Sequence, residues 1–354
     1  MTSMETSVKS DRPVRGVTDP GIPALATVLD PRELLEHLRP LFEAQWGEPE
    51  DIQVDVLKHH PRDRCTVQIA WRAATAQSRA LIGKVYAEDR SDVYDAMQAI
   101  AEAGFGPREE LSIPQPLGYV SALNLLLQEQ ICGPEAEEFV LSGQEHDRTA
   151  AIERCALWLA RFHSTAPGSG PILDLSSHLT SLKRWSRRIA KRAPMLAGKV
   201  TCLFERLEAA ASRLGQIDMC AGHGSYGPTQ VILAAGRSAA IDWDGHDVAD
   251  PSRDVARYLV SLRYLALEAA CEDDAMKTAA RLFLDTYAAA RRSRMELHLP
   301  FHMAATCLQL AKYELSRPVE GYCETMEVLI DEGLRILEDG NCAREGLRVL
   351  EQSE

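Results

Sequence analysis

Residues 221–257, which read AGHGSYGPTQVILAAGRSAAIDWDGHDVADPSRDVAR, decide the fold. A loop at 223–230, rich in glycine and polar residues, is followed by two short apolar runs. The runs meet at Ala235 and Gly236, which predicts a tight hairpin. Asp242 follows the second run directly, and the DPSRD segment at 250–254 is predicted to open a helix, because aspartate and serine favour helix starts. Few folds require a loop, a hairpin, an acid and a helix in this order.

The chain before this stretch predicts a small antiparallel sheet with helices. Runs rich in valine, isoleucine, leucine and aromatic residues are typical of strands. The predicted strands lie at 52–60, 65–71, 78–87 and 123–133. One predicted helix starts at Pro31, with Asp30 as its N-cap, and a second lies at 91–105. The glycine-free segment 59–64 joins the first two strands.

The remaining chain is predicted to be helical, because apolar residues recur at helical spacing. The predicted helices lie at 149–164, within 173–214 (two helices), and at 252–270, 273–292, 301–315 and 325–338. The predicted fold class is therefore α+β with two lobes. A flexible polar tail at 1–23 precedes a sheet lobe at 24–130 and a helical lobe at 131–354, which carries the loop region 221–244.

Composition narrows the class of function. The 354 residues carry a net charge of −13, which argues against nucleic acid and anionic membranes as partners. Nine scattered cysteines are typical of a reduced, cytoplasmic protein. The tail has no apolar core like that of a signal peptide, and the chain has no apolar run long enough to span a bilayer. We expect a soluble cytoplasmic protein.

Several side chains match the needs of phosphoryl transfer, which requires a cation on the donor phosphates, oxygen ligands for Mg²⁺ and a group that orients the acceptor. Lys84 lies among apolar residues in LIGKVYA, where an ammonium group favours an anion, although an exposed lysine on a strand face is the alternative. Asp242 and Gln230 offer oxygen atoms to a divalent cation. Asp95 is the weakly favoured acidic partner of Lys84.

Other residues of the pattern have supporting roles. His223 is predicted to orient the loop through a ring hydrogen bond, and Asp250 and Asp254 to cap the following helix and tie the loop down. The backbone of residues 129–131 (Glu129, Gln130 and Ile131) is the expected contact for an adenine edge. The segment 59–64 has no glycine, which would let backbone N–H groups approach phosphates closely, so any contact with phosphates must come from side chains such as Arg62 or Arg64.

A basic helix at 180–192 stands out in this acidic chain. Charge runs are usually solvated helix faces, and that is the favoured interpretation. The alternatives are an anionic acceptor or a protein partner. The six cations are Lys183, Arg184, Arg187, Arg188, Lys191 and Arg192.

Taken together, Lys84 in its strand, LLLQEQICG, LARFHS, HGSYGPTQVIL, IDWD and DPSRD resemble the aminoglycoside phosphotransferase family, which has a protein-kinase-like fold. The resemblance covers roughly residues 50–315. It is greater to the branch that has glutamine where most relatives have asparagine, which makes Gln230 compatible with magnesium binding. The resemblance implies transfer of the γ-phosphate of ATP, with Mg²⁺, to a hydroxyl group of a small metabolite, sugar or natural-product intermediate.

One position departs from the family. The catalytic aspartate, two places after the motif histidine, falls on Ser225, which cannot hold a negative charge near pH 7. Asp244 or Asp247 could substitute. Loss of the base lowers the rate by about 100- to 10,000-fold without abolishing it. The alternatives are a pseudokinase that binds nucleotide without turnover and a protein that only binds a partner.

Overall fold

The computed structural model describes residues 17–45, 49–73, 78–142, 144–269, 273–291, 298–316 and 321–351. Most of the predicted tail at 1–23 lies outside these residues. The chain forms two compact units. The N-terminal unit comprises residues up to 108 together with 113–132, and the C-terminal unit comprises 109–112 and the residues from 133 onward. No helix among the described residues combines the length and apolar character needed to cross a bilayer.

The elements are numbered in chain order. The strands are β1 (Pro49–His60), β2 (Arg64–Ala73), β3 (Ser78–Tyr86), β4 (Leu111–Ser112), β5 (Pro116–Val120), β6 (Leu125–Glu129), β7 (Cys220–Gly222), β8 (Val231–Ala234), β9 (Arg237–Ala240) and β10 (Asp247–Ala249). The α-helices are α1 (Leu25–Leu29), α2 (Pro31–Gln45), α3 (Ser91–Ile100), α4 (Ala136–Ser142), α5 (Glu145–Thr165), α6 (Leu175–Arg192), α7 (Ala197–Ala211), α8 (Ser252–Ala269), α9 (Asp273–Arg291), α10 (Leu299–Glu314) and α11 (Tyr322–Glu351).

The N-terminal unit is built on an antiparallel sheet with the strand order β1-β2-β3-β6-β5. One face packs against α1 and α2 through a core that includes Leu25, Leu34, Val67 and Leu125. Side chains alternate between the two faces of a strand. Val85 belongs to this core, so Lys84 points to the opposite face.

Two predictions for this unit need comment. Asp30 accepts the backbone N–H groups of Arg32 at 2.8 Å and Glu33 at 3.1 Å, which confirms it as the cap of α2. The predicted strand at 123–133 is too long, because β6 ends at Glu129. Leu81 of β3 lies opposite Glu129 in the last pair of this ladder, whereas β3 itself continues to Ser78 and pairs there with β2.

The C-terminal unit consists mainly of helices with two small sheets. One sheet has three strands in the order β4-β9-β8, and in the other β10 pairs with β7. The hairpin predicted at Ala235 and Gly236 is confirmed, since β8 and β9 flank these residues and Gly236 has φ +68°. The helices predicted within this unit are also present, although α4 was not predicted. The predicted α+β class is confirmed.

Aromatic side chains fix the loop region onto the helices of the C-terminal unit. Trp158 on α5 stacks on Tyr226 with ring centroids 5.5 Å apart, and Trp243 lies 5.9 Å from Trp158. All three are buried. The Tyr226 hydroxyl donates to the carbonyl oxygen of Cys155 at 2.7 Å. Stacked aromatic rings and satisfied polar groups make this region rigid, which suits a loop that must hold a fixed geometry.

Candidate functional site

One buried carboxylate holds the His-Gly-Ser loop. Asp254, in the first turn of α8, accepts the backbone N–H of His223 at 2.7 Å and that of Gly224 at 3.0 Å. Gly224 has φ +84°, and a Cβ there would lie 2.0 Å from the carbonyl oxygen of Gly245. Only glycine fits such a position. The predicted tie between Asp254 and the loop is confirmed.

A histidine on α5 supports Asp254 from the other side. His163 Nε2 lies 3.3 Å from Asp254 Oδ2, and His163 Nδ1 lies 2.8 Å from the Tyr287 hydroxyl on α9. Burial alone would raise the pKa of Asp254, but the hydrogen bond from His163 and the charge of Arg253 hold it well below its usual range. Burial lowers the pKa of His163. A neutral imidazole therefore donates to a carboxylate and accepts from the tyrosine.

His163 lies in the LARFHS segment, and no role was predicted for it from the sequence. The only sequence signal was a histidine at the end of the apolar stripe of a predicted helix, a position that usually means core packing. His163 and Asp254 are 91 positions apart in the chain, so no local pattern indicates their contact.

The ring of His223 connects the loop to the turn around Asp242. Its Nε2 lies 3.0 Å from the carbonyl oxygen of Ile241, and its centroid lies 4.7 Å from that of Trp243. A carbonyl oxygen only accepts, so Nε2 carries the proton. The ring hydrogen bond predicted for His223 is present, and it leaves Nδ1 as an acceptor in the neutral ring.

Ser225 lies next to that acceptor. Its Oγ is 3.4 Å from His223 Nδ1, a long hydrogen bond in which the serine hydroxyl donates. The side chain is half-buried. A hydroxyl whose proton points to an imidazole keeps its lone pairs for another donor, such as an acceptor alcohol.

Asp242 occupies an unusual backbone conformation. It follows β9 with φ +68° and ψ +64°, the left-handed region that non-glycine residues seldom adopt. A short 3₁₀ helix at Trp243–Gly245 follows directly. Strained conformations of this kind concentrate at functional sites, and Asp242 is the predicted metal ligand.

Gln230 comes close to Asp242 along the hairpin. The backbone N–H of Ile241, the residue directly before Asp242, donates to the carbonyl oxygen of Gln230 at 2.9 Å. The Gln230 side chain is half-buried, and its Oε1 lies 3.1 Å from where a Cβ on Gly227 would be.

The donor set fits magnesium better than zinc. Mg²⁺ favours one or two carboxylates together with water and phosphate oxygens, whereas structural Zn²⁺ needs four protein ligands. Among the described residues, no group of three or more His, Cys, Asp and Glu side chains could hold a metal ion. A carboxylate from Asp242 and an amide oxygen from Gln230 match the first pattern.

Asp247, considered as a substitute for the missing aspartate, is already engaged. Both of its oxygens accept from the guanidinium of Arg253, one of them at 2.8 Å from Nη2. Burial raises the pKa of Asp247, and the charge of Arg253 opposes that rise. A Cβ at Gly222 would lie 2.3 Å from Asp247 Oδ1. This ion pair joins β10 to the first turn of α8, so a catalytic role for Asp247 would first require its separation from Arg253.

Lys84 lies in the N-terminal unit. It is only 6% exposed and pairs across the sheet with Thr66 on β2 and Leu126 on β6. The alternative of an exposed lysine is therefore wrong. Asp95 is exposed on α3, and its pairing with Lys84 stays a prediction.

The segment after β6 has contacts of its own. The backbone N–H of Glu129 donates to the carbonyl oxygen of Gln115 at 2.9 Å, and the Gln130 side chain accepts from Gln68 at 3.0 Å. These bonds hold Glu129 and Gln130 in place, while Ile131 is half-buried. Adenine contact by these residues stays a prediction.

The segment 59–64 forms the turn between β1 and β2. Arg62 has φ +62°, and its backbone N–H donates to Asp19 at 2.6 Å. His59 Nε2 lies 2.9 Å from the same carboxylate. Arg64 pairs with Asp63. The turn is thus anchored to the N-terminal segment, and a grip of Arg62 or Arg64 on phosphates stays a prediction.

Comparison with known proteins decides the family. The model of the phosphotransferase enzyme family, APH, matches residues 72–295, which include β3, the His-Gly-Ser loop, the hairpin and the whole of α8. The chain belongs to this family. The resemblance drawn from Lys84, HGSYGPTQVIL, IDWD and DPSRD is confirmed.

Solved structures of phosphotransferases share the fold. A thermostable mutant of aminoglycoside phosphotransferase APH(4)-Ia is 15% identical, with a TM-score of 0.57 over 85% of this chain and 98% of that one. A putative aminoglycoside phosphotransferase from Ralstonia eutropha JMP134 is 13% identical, with a TM-score of 0.59 over 86% and 98%. Choline kinase from Cryptosporidium parvum Iowa II is 10% identical, with a TM-score of 0.57 over 81% and 89%. No curated protein sequence matches the chain.

Proposed function

We propose that this phosphotransferase transfers the γ-phosphoryl group of ATP, with Mg²⁺, to a hydroxyl group of a small metabolite or natural-product intermediate. The observation that carries the proposal is the His-Gly-Ser loop, which Asp254 holds by two backbone hydrogen bonds. A fixed loop beside the proposed magnesium ligands suits a reaction that depends on positioning and charge stabilisation. In support, a solved structure of APH(4)-Ia is a ternary complex with ADP and hygromycin B.

Each candidate residue then has a role. Asp242 and Gln230 would hold the magnesium ion, which neutralises charge on the phosphates when bound. Lys84 binds the donor phosphates, with Asp95 as the proposed partner. The backbone at 129–131 contacts the adenine edge. The acceptor is a small molecule, since the family fold leaves its identity open.

Ser225 and His223 supply a route for the acceptor proton. In this proposal the acceptor hydroxyl attacks phosphorus and gives its proton to Ser225 Oγ. The serine proton passes to His223 Nδ1, 3.4 Å away. The new P–O bond forms as the bond to the ADP oxygen breaks. Asp254 lowers the cost of a positive charge on His223, because the two groups attract each other electrostatically.

A pseudokinase remains the second candidate because of Ser225. A chain that binds nucleotide through Asp242 and Lys84 without turnover would act as a scaffold or regulator. The two candidates share nucleotide binding and differ in phosphoryl transfer.

The test has two stages. Calorimetry with ATP, with and without Mg²⁺, should show magnesium-dependent binding that Asp242→Ala abolishes. ADP release should then be followed with a library of small hydroxyl acceptors for the wild type, Ser225→Ala and Ser225→Asp. Turnover by the wild type that falls at least about tenfold in Ser225→Ala supports the proton route. Tight ATP binding without turnover by the wild type or Ser225→Asp would instead favour the pseudokinase.

A further inference from the structure

Four cations converge on one part of the C-terminal unit. Arg184 and Arg188 lie on an exposed face of α6, one helical turn apart. Lys312 is in the last turn of α10, with Nζ 5.5 Å above the ring of Trp185. Arg257 lies on α8. Both α6 and α8 pack against α10. These four side chains are called the cationic cluster below.

The cationic cluster lacks a carboxylate partner within the described part of the chain. None of the ion pairs or hydrogen bonds described there joins Arg184, Arg188, Arg257 or Lys312 to an acidic side chain. The chain has 52 acidic and 39 basic residues, so carboxylates are plentiful elsewhere. Like charges brought together without a counterion repel one another.

Arg257 is the most unusual member of the cationic cluster. It is half-buried, and its Nε is enclosed in the protein with no hydrogen-bond partner. Burial lowers the pKa of Arg257 to about 10. A buried donor without an acceptor is costly, and buried polar groups nearly always have partners.

The other cations act on the same region. Burial lowers the pKa of Lys312, and the positive charges of Arg188, Arg184 and Arg257 lower it further. An anion placed among these groups would reduce the repulsion between the cations and accept a hydrogen bond from Arg257 Nε. Arginine forks match the paired oxygens of phosphate and carboxylate groups, and a lysine adds a point charge.

The cationic cluster is connected to the candidate site through α8. Arg257 lies three residues after Asp254, about one helical turn, and Asp254 holds the backbone of His223 and Gly224. Asp254 is also a carboxylate that acts electrostatically on Arg257. Its oxygens already accept from the loop and from His163, so it does not neutralise the cluster by hydrogen bonding.

We propose that the cationic cluster binds an oxyanion group, phosphate or carboxylate, of the acceptor molecule. This inference rests on the proposed function and adds a substrate class, which is an anionic hydroxyl compound. The acceptor would keep its anionic group on the cluster while its hydroxyl gains the phosphoryl group and ATP becomes ADP.

Binding of simple anions tests the cluster without turnover. Inorganic phosphate and citrate should be titrated into the full chain by calorimetry, and the stronger of the two identifies the favoured oxyanion. Arg184→Gln/Arg188→Gln and Arg257→Met should each weaken binding by at least about tenfold, as expected for lost charge-assisted contacts. The matched control is Arg187→Gln/Lys191→Gln, which removes two charges at the same spacing on the same helix and should change binding less than about threefold.

The outcomes separate the two proposals. The inference is wrong if the control variant weakens anion binding as much as the cluster variants do, or if neither anion binds saturably. Either result would indicate a solvated basic face or a diffuse surface for an acidic partner. Asp242→Ala should leave phosphate binding unchanged. If phosphate binding needs Asp242, the anion occupies the nucleotide region and the inference is wrong. Normal phosphate binding by a chain that does not bind Mg²⁺ and ATP would refute the proposed function instead.

Discussion

Replacement of Asp254 by asparagine should destabilise the C-terminal unit strongly. The carboxylate accepts from His223 N at 2.7 Å, Gly224 N at 3.0 Å and His163 Nε2 at 3.3 Å. Asparagine has almost the same volume but only one oxygen. Its amide group would therefore face either a backbone N–H or the His163 ring, both of which are donors.

The magnitude follows from these contacts. At least one hydrogen bond to a charged group is lost, at about 1.5–3 kcal/mol, and a buried donor is left facing a donor, at about 1–3 kcal/mol. The attraction to Arg253, whose Nη2 lies 3.8 Å from Asp254, is lost as well. The free energy of unfolding should therefore fall by about 3–5 kcal/mol at pH 7.

Urea unfolding followed by tryptophan fluorescence measures this loss, because Trp158 and Trp243 are buried beside the loop. Asp218→Asn is the matched control, since Asp218 is exposed, and it should change stability by less than about 0.5 kcal/mol.

The pKa of Asp254 is lowered in the folded state, so its stabilisation is present above the unfolded pKa of about 4 and is lost as the pH falls below it. The difference in the free energy of unfolding between wild type and Asp254→Asn should therefore become smaller as the pH falls below about 4. Equal unfolding midpoints at pH 7 would refute the role of Asp254 as the anchor of the loop.

Three further predictions concern other parts of the C-terminal unit. Burial and the charge of His302 lower the pKa of His178 to about 3. Between about pH 6.5 and pH 3 the unfolded chain therefore binds a proton that the folded chain does not, and the free energy of unfolding falls as the pH drops. His178→Phe should reduce this fall between pH 7 and pH 5 by about 2 kcal/mol, measured by urea titration. Gly224→Ala should lower the free energy of unfolding far more than Gly236→Ala in the same assay. Both glycines have positive φ, but a Cβ would meet the Gly245 carbonyl oxygen at Gly224 and nothing within 4 Å at Gly236. Similar losses of stability in the two variants would contradict the close approach at Gly224. Asp242→Ala should abolish magnesium-dependent ATP binding in calorimetry while leaving the free energy of unfolding within about 1 kcal/mol of wild type, and retained binding would remove Asp242 from the metal site.

The sequence was sufficient for the fold and for the chemical character of the loop. Local signals mark Asp30 as a cap and Gly236 as a turn, and apolar periodicity marks the helices. The tie from Asp254 to the loop was also predictable, because a DPSRD segment after a short hairpin gives a helix start close to the preceding loop. Such features depend on residues that are near one another in the chain.

Contacts between distant segments could not be predicted in this way. The bond of His163 to Tyr287 spans 124 residues, and nothing in LARFHS indicates which helix lies opposite. The ion pair between Asp247 and Arg253 was not predicted either, although the two residues are only six positions apart. β6 ends at Glu129, before the end of the predicted strand at Gly133, although its partner β3 continues beyond their last pair, so the length of β3 does not set this end.

Transfer of labelled phosphate tests the central claim most directly. The full chain should be incubated with γ-labelled ATP, Mg²⁺ and a library of small hydroxyl compounds that includes anionic members, and the label should be followed into product. Our account predicts a labelled acceptor with the wild type, none with Asp242→Ala, and an anionic compound as the preferred acceptor. Magnesium-dependent ATP binding without label transfer by the wild type or by Ser225→Asp to any acceptor would contradict it.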